Sequence, residues 1–274
     1  MTALRHVGEV PSTAAYLRES WRYRDFATSL ARADARAHHV DTALGSLWQI
    51  LNPALLVGVY YLIFGVLFDV TRGLENYLGF LVIGVFMFTF TRKSMSSGAR
   101  AILNNRSLLQ SIRFPRVVLP IATVLAELLI FLPSVVVIVA VVIATGEPFS
   151  ATWFLLVPLV LVQLVFNAGL ALAASRATVR FRDLDELLPF LLRLWFYMSG
   201  VLYPITRVED KLGDEWRVLF EANPANVYLT IGRDALLEGT TSGWRWLVGI
   251  AWAVGVVIVA LWFFRRHELE YGGV

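Results

Sequence analysis

The sequence predicts an all-α membrane protein whose chain crosses the bilayer six times. Three observations carry this. Apolar residues fill 57% of the 274 positions and charged residues only 16%, with a mean hydropathy of +0.64, outside the range of soluble domains. Six runs are apolar and nearly free of charge, the property a helix needs to cross the hydrocarbon core. The basic residues also sort by side. Threading the chain from an inside amino terminus leaves only Arg72, Arg207, Lys211, Arg217, Arg233 and Arg245 of the 24 Lys and Arg outside. This is the positive-inside bias, and it puts both termini in the cytoplasm.

The elements follow in order. Residues 1–41 are expected to form a cytoplasmic N-terminal region, and residues 42–274 a six-span domain. The first forty residues carry Arg5, Arg18, Arg22, Arg24, Arg32 and Arg36 and no apolar run of signal-peptide length. From Tyr16 to Ala37 a helical wheel places Arg18, Arg22, Arg32 and Arg36 on one stripe, with Tyr16, Tyr23, Phe26, Leu30 and Ala37 opposite. That is an amphipathic helix suited to the inner membrane interface, or to packing on another subunit. The spans are then Asn52 to Phe68, Tyr77 to Thr91, Val117 to Thr145, Thr152 to Ser175, Leu187 to Ile205 and Trp246 to Phe264. Residues 206–244 are the one substantial external segment. Its apolar residues alternate with charges around Asn223 and Pro224, a mixture that fits short re-entrant helices better than another span.

Two internal loops are candidate docking surfaces. The stretch from Arg92 to Arg116 is longer than a connection requires, and Ile102, Leu103, Leu108, Leu109 and Ile112 give it the apolar surface of a short helix. The second loop runs from Arg180 through Phe181, Arg182 and Asp183 to Glu186.

Several chemistries are excluded. With no cysteine there is neither a disulfide nor a thiolate metal site. Neither Lys93 nor Lys211 follows a glycine, so neither completes a Gly-rich phosphate loop, and ATP hydrolysis in that manner is out of reach. His6, His38, His39 and His267 lack metal-ligand spacing, and no metal is expected. The pI near 9.3 follows from the topology rule and implies no nucleic-acid partner. Two charges interrupt otherwise apolar spans, Glu127 in the third and Arg193 in the fifth, about ten residues from the cytoplasmic end in each case. Unpaired intramembrane charge is costly, so the two are expected to face the interior and pair. The other reading has Arg193 meeting a substrate phosphate.

Gly45, Leu47, Trp48 and Pro53 before the first span, Phe114-Pro115-Arg116 with Leu119-Pro120 before the third, and Phe181-Arg182-Asp183 followed by Leu188-Pro189-Phe190, Leu194-Trp195-Phe196-Tyr197 and Tyr203-Pro204 form a pattern. With Asn223-Pro224 and Arg233 it resembles the membrane subunits of ATP-binding cassette exporters of the polysaccharide and polyol-phosphate type, along nearly the whole chain. Two positions depart from the family: His38-His39-Val40-Asp41 stands where a tyrosine and basic residues are usual, and Gly200 where proline is usual.

The resemblance implies a permease subunit in the bacterial inner membrane, a homodimer joined by two separate ATPase subunits. ATP and Mg would be held by those partners, with no cofactor bound by this chain. It implies coupling to the ATPase through Asn104, Arg106, Leu109, Arg113, Phe181, Arg182 and Asp183, and a substrate pathway past Tyr60, Tyr61, Phe64, Arg193, Trp195, Tyr197 and Tyr203. Rings on these spans can stack on sugar faces, or serve as core and interfacial packing. The implied cargo is a lipid-linked polysaccharide moved from the inner to the outer face. The rivals are an exporter of small amphiphiles on the same fold, a membrane-embedded glycosyltransferase, disfavoured by the absence of clustered acid and base residues, and a secondary transporter, disfavoured by the few intramembrane polar groups.

Overall fold

The computed structural model describes residues 13–37, 45–68, 74–112, 114–204 and 215–266. Every regular element among them is helical. In order these are α1 (Thr13–Arg22), α2 (Arg24–Ala37), α3 (Trp48–Leu67), α4 (Tyr77–Asn104), α5 (Arg106–Ser111), α6 (Val118–Ala144), α7 (Leu156–Arg180), α8 (Leu184–Met198), α9 (Glu215–Ala222), α10 (Pro224–Leu236) and α11 (Gly243–Arg265). Five of them, α3, α4, α6, α7 and α11, are long and apolar enough to cross a bilayer.

The expected fifth span is the exception. Helix α8 has 15 residues, about 22 Å at the helical rise, against the ~30 Å of a hydrocarbon core. It stops at Ser199 because Gly200 takes φ +62°, a conformation that ends a right-handed helix. The second span errs in the opposite sense. Instead of stopping at Thr91, α4 runs on to Asn104, because Arg92 and Arg100 leave the helix on its exposed side while Ser94, Gly98, Ala99, Ala101 and Ile102 stay buried.

Helix α4 is the axis of the bundle and packs against α3, α6, α7, α8 and α10. Small residues set its approach to α7: a Cβ on Gly98 would collide with Ala171. Polar groups then fill the seam. Gln163 Nε2 donates to Met87 O at 3.0 Å and to Thr91 Oγ1 at 2.9 Å, while on the α6 side Phe90 stacks on Phe131 with ring centres 4.7 Å apart. Gly169 does the same on the far side of α7, where a Cβ would lie 2.8 Å from Val256 of α11.

The N-terminal helix is two helices, with Tyr23 at the joint. Its apolar side lies on its own chain: Tyr16 and Ala27 join Ile102, Val117, Val118, Leu172 and Phe264, while Phe114 meets Tyr23 at 6.3 Å and Phe26 at 5.4 Å. Arg18, Arg22, Arg32 and Arg36 are exposed as the wheel predicts, whereas Ala37 is exposed and not part of the apolar side.

Candidate substrate cavity and coupling surface

A cavity of about 420 Å³ opens between α3, α4, α6 and α8. Helix α4 supplies Thr89, Arg92, Lys93, Ser96 and Ser97, residues three and four apart that share one face. Tyr60 enters from α3, Glu127 from α6, and Arg193, Phe196 and Tyr197 from α8. Three cations therefore face one carboxylate, and such an excess of positive charge in one recess favours an anion. Aromatic rings stand beside the charges: Tyr60 stacks on Phe196 at 5.6 Å, and Phe88 braces Phe196 edge-on at 5.2 Å.

Glu127 and Arg193 line the same cavity, yet among the described residues no ion pair joins them. Glu127 is 3% exposed, and its Oε1 accepts a hydrogen bond from Ser97 Oγ at 2.6 Å. A serine one turn from Lys93 thus meets part of the cost that the pairing argument assigned to Arg193, whose side chain remains exposed. Arg92 and Lys93, which topology alone counts as inner loop charges, belong to the cavity. The periodic Thr-Arg/Lys-Ser face from 89 to 97 was the available signal for them.

The other expected pathway residues disperse. Phe64 packs toward Tyr60 at 6.2 Å outside the cavity lining, and Tyr61 sits 6.2 Å from Tyr77. Trp195 turns from the cavity and donates its Nε1 to Asn223 Oδ1 at 2.9 Å. Tyr203 lines a second, larger cavity of about 820 Å³ at the other end of the bundle, with Asn76, Phe80, Glu147, Asn226, Arg233 and Trp244 among its walls.

Arg233 is the residue whose place sequence reasoning missed. The charge pattern counts it among the external charges, but it is 6% exposed and lies over the Phe80 ring at 3.3 Å. Its Nη1 donates to Gly200 O at 3.0 Å and its Nη2 to Val201 O at 3.0 Å. Burial pulls its guanidinium down to about 9, still charged at neutral pH. Gly84 is required beneath it, since a Cβ there would fall 2.5 Å from Nη2.

At the opposite end the two internal loops meet. Arg100 Nε donates to Asp185 Oδ1 at 2.6 Å and links the end of α4 to the start of α8. Asn104 ends α4, and Arg106 and Leu109 lie on α5, where Leu109 packs against the cluster that holds Tyr16, Ile102 and Val117. Phe181, 67% exposed, stands with the exposed Arg182 and Asp183 in the three-residue connection from α7 to α8. Arg113 lies outside the described residues. So do His6, His38, His39 and His267, and among the described residues no cluster of His, Asp and Glu could hold a metal ion.

Residues 29–237 match the family described as ABC-2 type transporter. The chain is 31% identical over 258 residues to the O-antigen export system permease protein RfbA of Myxococcus xanthus, covering 92% of this chain and 96% of that one. Over 248 residues it is 26% identical to an O-antigen export system permease protein RfbA of Klebsiella pneumoniae, covering 90% and 93%. To the polysialic acid transport protein KpsM of Escherichia coli it is 26% identical over 204 residues, covering 73% and 76%.

Proposed function

This chain belongs to the ABC-2 type transporter membrane family, and from that premise we propose that it is the permease subunit of an ATP-driven exporter of a lipid-linked cell-envelope polysaccharide. It is a multi-pass membrane protein, and the membrane is the bacterial inner membrane. The observation that carries the reading is the cavity in which Arg92, Lys93 and Arg193 stand beside Tyr60, Phe196 and Tyr197: cations for a lipid phosphate, rings for sugar faces. The export permeases among its relatives support the direction and the cargo class.

The six-span reading is part of the proposal. Asp185 is tied to Arg100 near one end of α4, and Gly200 and Val201 are tied through Arg233 to Phe80 near the other. Phe80 and Arg100 are 20 residues apart on one helix, about 30 Å at its rise, so α8 and the turn after it run from end to end of the bundle. Counting it as a crossing keeps Arg265 and Arg266 on the arginine-rich side, with both termini cytoplasmic. Helices α9 and α10 then form the outer re-entrant pair, and α1 and α2 lie at the inner interface.

ATP and Mg belong to two partner ATPase subunits that dock on Asn104, Arg106, Leu109 and the Phe181–Asp183 connection. Two copies of the permease form the pore, with the exposed apolar faces of α3 and α8 turned toward each other. Depleting the protein and labelling lipid-linked glycan leaflet by leaflet tests the reading. Build-up of finished glycan on the cytoplasmic face is the expected result. An unchanged distribution would remove the polysaccharide assignment and favour a small amphiphile as cargo.

A further inference from the structure

Five consecutive backbone carbonyls at the end of α8 and just beyond it, from Met198 to Leu202, each accept a hydrogen bond from a distant side chain. Asn223 Nδ2 donates to Met198 O at 3.1 Å, and Asn226 Nδ2 to Ser199 O at 3.2 Å. Arg233 donates to Gly200 O and Val201 O, both at 3.0 Å, and the Tyr77 hydroxyl donates to Leu202 O at 2.9 Å. The last carbonyls of a helix are ordinarily closed by the following backbone or by water. Here the helix end is held from outside, by α4, by α10 and by the cap of α10. Arg233 adds a third tie, since Nη2 also reaches Phe80 O at 3.3 Å.

The other end of α8 is held differently. Among the described residues its polar link to another helix there is Arg100–Asp185, with side chains 51% and 28% exposed, and an exposed ion pair contributes little. Leu188 and Leu192 pack on Ala99 and Ala174, contacts without directionality that tolerate sliding. Pro189 also lacks the N–H that would bond the Asp185 carbonyl near the start of the helix. One end is clamped by directional bonds, four of the five buried, and the other is releasable.

We propose that residues 198–202 are a pivot, that Arg233 is its positioning residue, and that α8 swings on it as a gate which opens the cationic cavity at its inner end. Helix α8 supplies Pro189, Leu192, Arg193, Phe196 and Tyr197 to that cavity, so a swing moves a whole wall. With an arm of about 22 Å, a rotation of about 10–15° displaces the inner end by roughly 4–6 Å and the outer end hardly at all. The proposal rests on the export reading only for what passes the gate.

The chain has no cysteine, so engineered cysteines report without background. Spin-label pairs are placed at Asn104 with Glu186 for the inner end, and at Met198 with Glu238 for the outer end. Distances are measured by pulsed electron resonance in the permease reconstituted with its ATPase in nanodiscs, nucleotide-free and ATP-trapped. The inner pair is expected to shift by about 4–6 Å while the outer pair holds within ~1–2 Å. In Arg233→Gln the outer distribution broadens and glycan exported per ATP falls. Arg233→Lys, which keeps the charge but not the fork, lies between. Should Arg233→Gln fail to fold, Asn226→Leu and Tyr77→Phe each remove one clamp and are expected to broaden the outer pair less. An outer pair that moves as far as the inner one, a static inner pair, or a clamp variant with an unchanged outer pair would overturn the pivot. If the distances behave as expected but depletion leaves glycan export intact, the pivot stands and the export reading is what fails.

Discussion

Replacing Arg193 with glutamine tests the cavity directly. Its guanidinium faces the same recess as Arg92, Lys93 and Glu127. A phosphate seated there at about 6–7 Å, with an effective dielectric of about 20, gains roughly 2–3 kcal/mol from one such cation. At 1.4 kcal/mol per decade this is a loss of about 30- to 150-fold in apparent affinity. The assay is stimulation of ATP hydrolysis by the lipid-linked glycan in the reconstituted transporter, read as the midpoint concentration. Glu127→Gln acts with the opposite sign: it removes the one carboxylate from among the cations, keeps an acceptor for Ser97, and lowers the midpoint. A structural Glu127–Arg193 pair demands another pattern, comparable losses in both variants and rescue by exchanging the two charges. An unchanged midpoint in Arg193→Gln, or that rescue, refutes an anion site.

Three further outcomes follow from the packing and the loops. Gly98→Val drives a side chain into Ala171 and is expected to abolish a monodisperse peak in size-exclusion chromatography, whereas Gly255→Ala on α11, with no atom within 4 Å of the new Cβ, is expected to be silent. Phe181→Ala removes a ring that is 67% exposed, so thermal stability should hold within about 0.5 kcal/mol while co-purification of the ATPase is lost; retained co-purification would place docking elsewhere. Reversing Arg100 to Glu alone should weaken ATP-dependent export while costing at most about 1 kcal/mol of stability, and adding Asp185→Arg should restore export.

The parts legible from the sequence were those carried by local composition. Long apolar runs located α3, α6, α7 and α11 to within a few residues, because a membrane span is specified by its own hydrophobicity whatever its neighbours. The arginine stripe of the N-terminal helices was legible for a similar reason, since helical period fixes which side chains share a face. Phe181, Arg182 and Asp183 were found as a loop because charge interrupts two apolar runs there.

Where charge and helix coincide, composition misleads. Arg92 looks like the end of a span, yet α4 continues, because a charge on one side of a helix can meet a cavity while small residues pack the other side. Glu127 and Arg193 lie at similar depth, but depth does not say which serine stands nearer, and Ser97 took the bond. Arg233 reads as one more external charge. Only the fold brings it against Phe80, Gly200 and Val201, residues 153, 33 and 32 positions away. The sequence by itself determined that this chain is a helical membrane protein, where most of its spans lie and which loops are candidate docking surfaces, since each of these is a sum over neighbouring residues. The tertiary structure decided where α8 ends, which cations share a cavity and what buries Arg233. Those are pairings between distant residues, and a hydrogen bond made at 3 Å depends on where both partners have been placed.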